Sequence, residues 1–137
     1  MYKLPISHPY NSFRIVLIGA GGTGGNAAPM IARIIAGRQN VEFVIVDGDE
    51  VEASNLERQP YTLNDVGRNK AEILSTKINK AFDLNSTYLT EYITSLEQLK
   101  TLFSRDYSSL HHLDILISAV DNHEARSLME HYFADAN

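Results

Sequence analysis

Between Gly19 and Gly24 the chain reads Gly-Ala-Gly-Gly-Thr-Gly, the spacing G-x-G-x-x-G of a turn that lets backbone amides close on a phosphate. Glycine is required because the backbone must bend sharply and approach the anion without an intervening side chain. A helix starting there adds amide donors and the positive end of its dipole. Further along, Asp47 ends an apolar run, where a carboxylate can accept both hydroxyls of a ribose. Gly19, Gly21, Gly22, Gly24 and Asp47 therefore describe a bed for a ribose-phosphate ligand, and both ATP and NAD satisfy them.

The residues after Asp47 separate the two. A dehydrogenase would run from here straight into a helix, whereas this chain has a polar loop carrying Asn55, Arg58 and Gln59. Asn69-Lys70 opens the next helical pattern, and Val120-Asp121-Asn122 follows a later apolar run. Each residue also has a plainer use. Arg58 and Lys70 could be solvated surface charges, Asn55 an Asx turn or a cap, and Asp121-Asn122 the cap of the last helix. His111-His112, His123 and His131 lack cysteines or a tight acid cluster beside them, so no zinc is expected. Tyr88 and Tyr92, four apart on an expected strand, read as packing residues sharing a face.

Positioning these groups calls for alternating strands and helices. Arg14–Ile18 is a short β-branched run, apolar on both faces, as in a buried parallel strand. Ala28, Ile31, Ala32, Ile34 and Ile35 follow a helical period from about Asn26 to Gly37, with Gly37 at the helix end. Pro29 implies that the helix proper starts near Ala28 or is kinked there. Val41–Val46 reads as a second strand, Gly67–Phe82 as an amphipathic helix, and Thr87–Thr94 as a third strand. Leu96–Phe103 and His123–Ala134 read as helices on either side of a fourth strand, Asp114–Val120. This order predicts an α/β fold, a doubly wound, mostly parallel Rossmann-like sheet in three α/β/α layers. The fourth strand is apolar on both faces like an interior strand, yet no fifth follows it before Asn137. The expectation is that another chain covers it or that the sheet belongs to a longer domain.

At 137 residues and 44% hydrophobic composition, one domain can hide about two thirds of its unfolded surface. Twelve Lys and Arg against seventeen Asp and Glu give a net charge of −5, which argues against a general nucleic-acid or anionic-membrane binder. The absence of cysteine excludes disulfides, thiolate metal sites and a cysteine nucleophile from this chain. No run approaches the roughly 20 apolar residues of a membrane helix, and residues 1–13 read as an irregular arm without a signal pattern. A soluble, cytoplasmic protein is the expectation.

The string Asp47-Gly48-Asp49-Glu50-Val51-Glu52-Ala53-Ser54-Asn55-Leu56-Glu57-Arg58-Gln59 resembles the D-x-D-x-V-x-x-S-N-L-x-R-Q signature of the ThiF/MoeB/HesA family, adenylating enzymes related to the ubiquitin-activating enzymes. The glycine turn, Asn69-Lys70 and Val120-Asp121-Asn122 match in order, extending the resemblance over residues 14 to about 133. It implies ATP and Mg2+ as cofactors and AMP transfer to the C-terminal carboxylate of a ubiquitin-like or sulfur-carrier protein, or of a peptide. Residue by residue it implies that Asp47 holds the ribose, Asn55, Arg58 and Gln59 face the phosphates, Lys70 contacts the triphosphate, and Asp121 holds magnesium. Arg58, Lys70 and Asp121 would then be catalytic, and residues 14–137 the nucleotide-binding portion of a longer domain, completed by a missing half or a homodimer partner. The family's later cysteines and an arginine contributed from the N-terminal helix of a neighbouring subunit have no counterpart here. A non-catalytic adaptor keeping the fold for partner binding is the alternative reading, and an NAD-dependent oxidoreductase a further one.

Overall fold

The structure is a computed structural model that describes residues 12–104 and 112–134. Its elements are β1 (Ser12–Ile18), α1 (Gly22–Ile35), β2 (Val41–Val46), α2 (Lys70–Phe82), β3 (Thr87–Leu89), α3 (Leu96–Phe103), β4 (His112–Ser118) and α4 (His123–Ala134), with two 3-10 turns at Ala53–Asn55 and Leu63–Asp65. The sheet order is β3-β2-β1-β4 and every pairing is parallel. β1 pairs with β2 from Phe13↔Val41 to Ile18↔Val46, and with β4 from Ser12↔His112 to Ile18↔Ser118.

Strand alternation divides the core into two layers. Leu17, Phe43 and Ile45 pack with Ala28, Ala32 and Ile35 of α1 and with Ala71, Leu74 and Ile78 of α2. Val16, Val44 and Val46 face the other way, against Leu99 and Phe103 of α3 and Ala125 and Met129 of α4. Leu17 and Ile45 have no exposed surface, which is why both strands read as continuous apolar runs. The expected three-layer, doubly wound architecture is what forms.

Five elements have boundaries that differ from the sequence reading. α1 starts at Gly22, so the glycine turn itself supplies the first helical turn, and the helix runs on through Pro29, which lacks the amide that would bond the Gly25 carbonyl. α2 starts at Lys70 because the Asn69 side chain caps it, accepting from the amides of Ala71 and Glu72. β3 stops at Leu89, whose carbonyl bonds the Asp47 amide; beyond it, Gln98 Oε1 takes the amides of Thr94 and Ser95 away from any strand ladder. β4 spans His112–Ser118 and, among the described residues, forms an edge, with Ile115 37% exposed. β1 takes in Ser12 and Phe13, and the rest of the expected arm, like His111, lies outside the described residues. No helix among the described residues is long and apolar enough to cross a membrane.

Candidate functional site

Parallel pairing brings the carboxyl ends of β1, β2 and β4 to one side of the sheet, and a cavity of about 460 Å³ opens there. Gly19, Gly21 and Gly22 form part of its wall, Asp47, Gln59 and Lys70 another, and Asp121 faces it from beyond β4.

The glycine turn divides its work. Gly19 has φ +99°, and a Cβ there would also stand 2.8 Å from the Ala119 carbonyl oxygen. Gly24 lies away from the cavity; a Cβ on it would drive into the Gly19 carbonyl, so its role is to let α1 close on β1. Gly21 caps α1 without a side-chain acceptor, and Gly21, Gly22 and Thr23 line the cavity. A helix start without a side-chain cap, open to a cavity, is suited to an anion.

Asp47 is held on both oxygens: Oδ2 accepts from the Ala20 amide at 2.6 Å and Oδ1 from the Asp49 amide at 2.8 Å. Burial pushes its carboxyl above the usual range, with those two amides opposing the rise. Asn69 Nδ2 donates to the carbonyls of Asp47 and Asp49, which ties the end of β2 to the start of α2. Lys70, buried at the first position of that helix, consequently meets Asp49, Nζ to Oδ2 at 3.2 Å. The other Asp49 oxygen accepts from the Tyr92 hydroxyl, and this bond, aided by Lys70 and opposed by burial, holds the Asp49 carboxyl below its usual range.

The polar loop after β2 is fastened from beneath. Tyr61 donates its hydroxyl to the Ala20 carbonyl at 2.5 Å, and burial pushes that hydroxyl well above its ordinary value. Lys77 donates to Asp65 Oδ2 at 2.5 Å and to the Pro60 carbonyl at 3.1 Å, with its ammonium 5.5 Å from the Tyr61 ring centre. Burial alone would raise the Asp65 carboxyl, but Lys77 and the amide and hydroxyl of Thr62 together hold it below its usual range. Pro60 lies where a Cβ on Gly25 of α1 would stand. This fastening brings Gln59 to the cavity, with its Oε1 atom buried and without a hydrogen-bond partner among the described residues.

Seven of the ten expected site residues therefore line one cavity: Gly19, Gly21, Gly22, Asp47, Gln59, Lys70 and Asp121. Gly24 packs behind it. Asn55 lies outside it, and its Oδ1 accepts from the Glu52 amide, the capping use the sequence also allowed. Arg58 is exposed just beside it, its carbonyl near Gly22, and its side chain makes no hydrogen bond among the described residues. Asn122, not Asp121, caps α4 by accepting from the Ala125 amide, so the exposed Asp121 carboxylate is left facing the cavity. Sequence reasoning missed Tyr61, Asp65, Lys77 and Tyr92. Tyr92 does not share a strand face with Tyr88; it lies past the end of β3, 60% exposed, on the cavity wall.

Residues 9–137 match the sequence profile of the ThiF family. The chain belongs to the ThiF family. It is 34% identical over 118 residues to a probable molybdopterin-synthase adenylyltransferase of Porphyra purpurea, covering 84% of this chain and 28% of that protein. It is 33% identical over 123 residues to the SAMP-activating enzyme E1 of Haloferax volcanii, covering 86% and 40%. Among solved structures, E. coli MccB with AMPCPP and MccA superposes with a TM-score of 0.70 at 25% identity, over 93% of this chain and 35% of that one. The ATP complex of E. coli tRNA N6-threonylcarbamoyladenosine dehydratase, TcdA, gives 0.70 and 25%, over 90% and 47%. This ThiF-family chain thus spans less than half the length of each of these relatives.

Proposed function

We propose that this chain is the nucleotide-binding part of an ATP-dependent adenylyltransferase that transfers AMP to the C-terminal carboxylate of a ubiquitin-like or sulfur-carrier protein, or of a peptide. The observation that carries the reading is the single cavity into which the glycine turn, Asp47, Gln59, Lys70 and Asp121 converge. Relatives with ATP or AMPCPP bound support the nucleotide, and relatives named as adenylyltransferases support the reaction.

In this reaction a carboxylate oxygen of the partner attacks the α-phosphorus, the bond from that phosphorus to the bridging oxygen breaks, and pyrophosphate leaves. A carboxylate approaching a triphosphate is repelled, so the site must neutralise phosphate charge and hold the attacking atom in line. Asp47 would accept the ribose hydroxyls on lone pairs its two amide bonds leave open. The Gly21–Thr23 amides would take phosphate oxygens, Lys70 would supply the ammonium, and Arg58 and Gln59 would approach from the loop. Asn55 contributes by shaping that loop.

Among the described residues the cavity lining carries the carboxylates of Asp47, Asp49, Glu91 and Asp121 against the one ammonium of Lys70. A bare triphosphate meets a net negative wall there, and a divalent cation offsets it. Asp121, exposed and without a side-chain partner among the described residues, offers the hard oxygen donor that fits Mg2+, an ion held through one or two carboxylates plus phosphates. When bound, Mg2+ would supply charge neutralisation of the phosphates. The exposed edge of β4 supports completion of the sheet by a second copy or by further sequence.

A thermal-shift titration with ATP and magnesium beside NAD tests the reading. At 100 times its dissociation constant a ligand adds about 2.7 kcal/mol, a rise of several degrees for a domain of this size. The expected result is a shift with ATP, reduced in Lys70→Met, and none with NAD. A shift with NAD alone overturns the adenylation reading, and no shift with either means that the missing half is needed to form the site or that the fold is kept for partner binding, the adaptor reading.

A further inference from the structure

The segment after β3 is tied down on both sides of Tyr92. Ile93 is buried among α3 and α4, and Gln98 donates to the Tyr92 carbonyl at 3.0 Å while accepting from the Thr94 amide at 2.8 Å. From this anchored segment the Tyr92 side chain reaches across to the end of β2. Its ring occupies the space a side chain at position 48 would need, 2.6 Å from where a Cβ on Gly48 would stand, and its hydroxyl donates to Asp49. Tyr92 stays 60% exposed, so ring burial does not drive this reach. Its hydroxyl bond fixes one oxygen of a carboxylate whose other oxygen already holds Lys70, the one cation on the cavity wall among the described residues.

Resting on the nucleotide reading of the cavity, we propose that Tyr92 is a positioning residue that acts through Asp49 on Lys70: a latch that keeps the ammonium paired with a carboxylate until phosphate displaces it. The charge pattern supports a displaceable pair. Asp49 is itself half exposed and lies on a wall already rich in carboxylates, so an incoming phosphate competes for Lys70 and not for vacant positive charge. Any ligand that must open the latch has its affinity scaled down to the fraction of molecules in which the latch is open, whereas a ligand without phosphate leaves the latch shut and is unaffected. The latch thereby sets how selectively the cavity discriminates polyphosphate from neutral nucleoside.

Two substitutions open it differently. Tyr92→Phe keeps the ring and removes the donor; Gly48→Ala keeps the hydroxyl and puts a methyl where the ring lies. Calorimetric titration of wild type and both variants with ATP, inorganic tripolyphosphate and adenosine, all with magnesium, tests the proposal. Both variants are expected to bind ATP and tripolyphosphate on the order of fivefold more tightly, the scale of one net hydrogen bond in water, with adenosine unchanged. Equal weakening of ATP and adenosine in Tyr92→Phe overturns the latch and makes the Tyr92 hydroxyl a plain support of the cavity wall. Unchanged ATP and tripolyphosphate binding overturns the latch and leaves the nucleotide reading standing. Tripolyphosphate binding that responds to both variants, without binding of ATP, upholds the latch and overturns the nucleotide reading. Failure of all three ligands to bind overturns both.

Discussion

The cavity has two unlike sides. At the end of β2 nearly every polar group is engaged: Asp47 on two amides, Asn69 on two carbonyls and two amides, Asp49 between Lys70 and Tyr92. Beyond β4, and on the loop over α1, stand Asp121 and Arg58, both exposed and without side-chain hydrogen bonds among the described residues. Groups bound into a network are positioned before any ligand arrives and contribute to stability. Free charges contribute little to folding and are open to whatever the cavity receives. Substitutions on the first side should therefore be read first in stability, and those on the second in binding or turnover.

The glycine turn gives the sharpest break within this comparison. Gly24→Ala puts a methyl into the Gly19 carbonyl and 3.2 Å from Ala119 Cβ, where backbone cannot yield, and should cost about 3 kcal/mol or prevent folding. Gly21→Ala meets nothing within 4 Å and should cost only about 0.5 kcal/mol. Chemical denaturation should separate the two variants, and ATP titration of Gly21→Ala should show weaker binding from a chain that still folds. Equal stabilities would mean that Gly24 does not set the approach of α1 to β1.

Next in size is the fastening of the loop. Lys77→Met leaves the buried Asp65 carboxylate without its cation and should cost about 2 kcal/mol, since Lys77 is itself partly exposed. The folded-state value of Asp65 is depressed, so its contribution is complete above the ordinary aspartate range near about 3.9 and is lost as pH falls through the lower folded value. Denaturation midpoints of wild type should therefore decline more steeply with acid below that range than those of Lys77→Met. Parallel pH profiles would show that the pair does not fasten the loop.

How far the sequence carried follows from the range of the interactions involved. α3 and α4 were legible to the residue, because their apolar periods and caps lie within one or two turns. The glycine turn and Asp47 were legible because strand, turn, helix and strand follow one another directly in the sequence. Tyr92 was not: in Tyr88–Ile93 apolar residues imitate a strand, while the bond that decides its position crosses 43 residues to Asp49. Asp65 and Lys77 escaped for the same reason, each being unremarkable until a 3-10 turn and a helix set them side by side. The role of Asn69 shows the middle case. Its position before Lys70 marked a helix start, but its second task, holding the carbonyls of Asp47 and Asp49, needed the fold.

The smallest effect on stability is expected from Asp121→Ala, and it is the most informative about the freer side. Asn122 and not Asp121 caps α4, and the Asp121 carboxylate is exposed, so its removal should leave the denaturation midpoint within about 0.5 kcal/mol of wild type. Asn122→Ala, one residue away, should cost about 1 kcal/mol through the lost cap. Binding should reverse the order: Asp121→Ala should lose most of the magnesium dependence of ATP binding, and Asn122→Ala should keep it. If Asp121→Ala instead destabilises the chain as much as Asn122→Ala while magnesium dependence is unchanged, the carboxylate belongs to the folding network, and the division between the two sides of the cavity does not hold at β4.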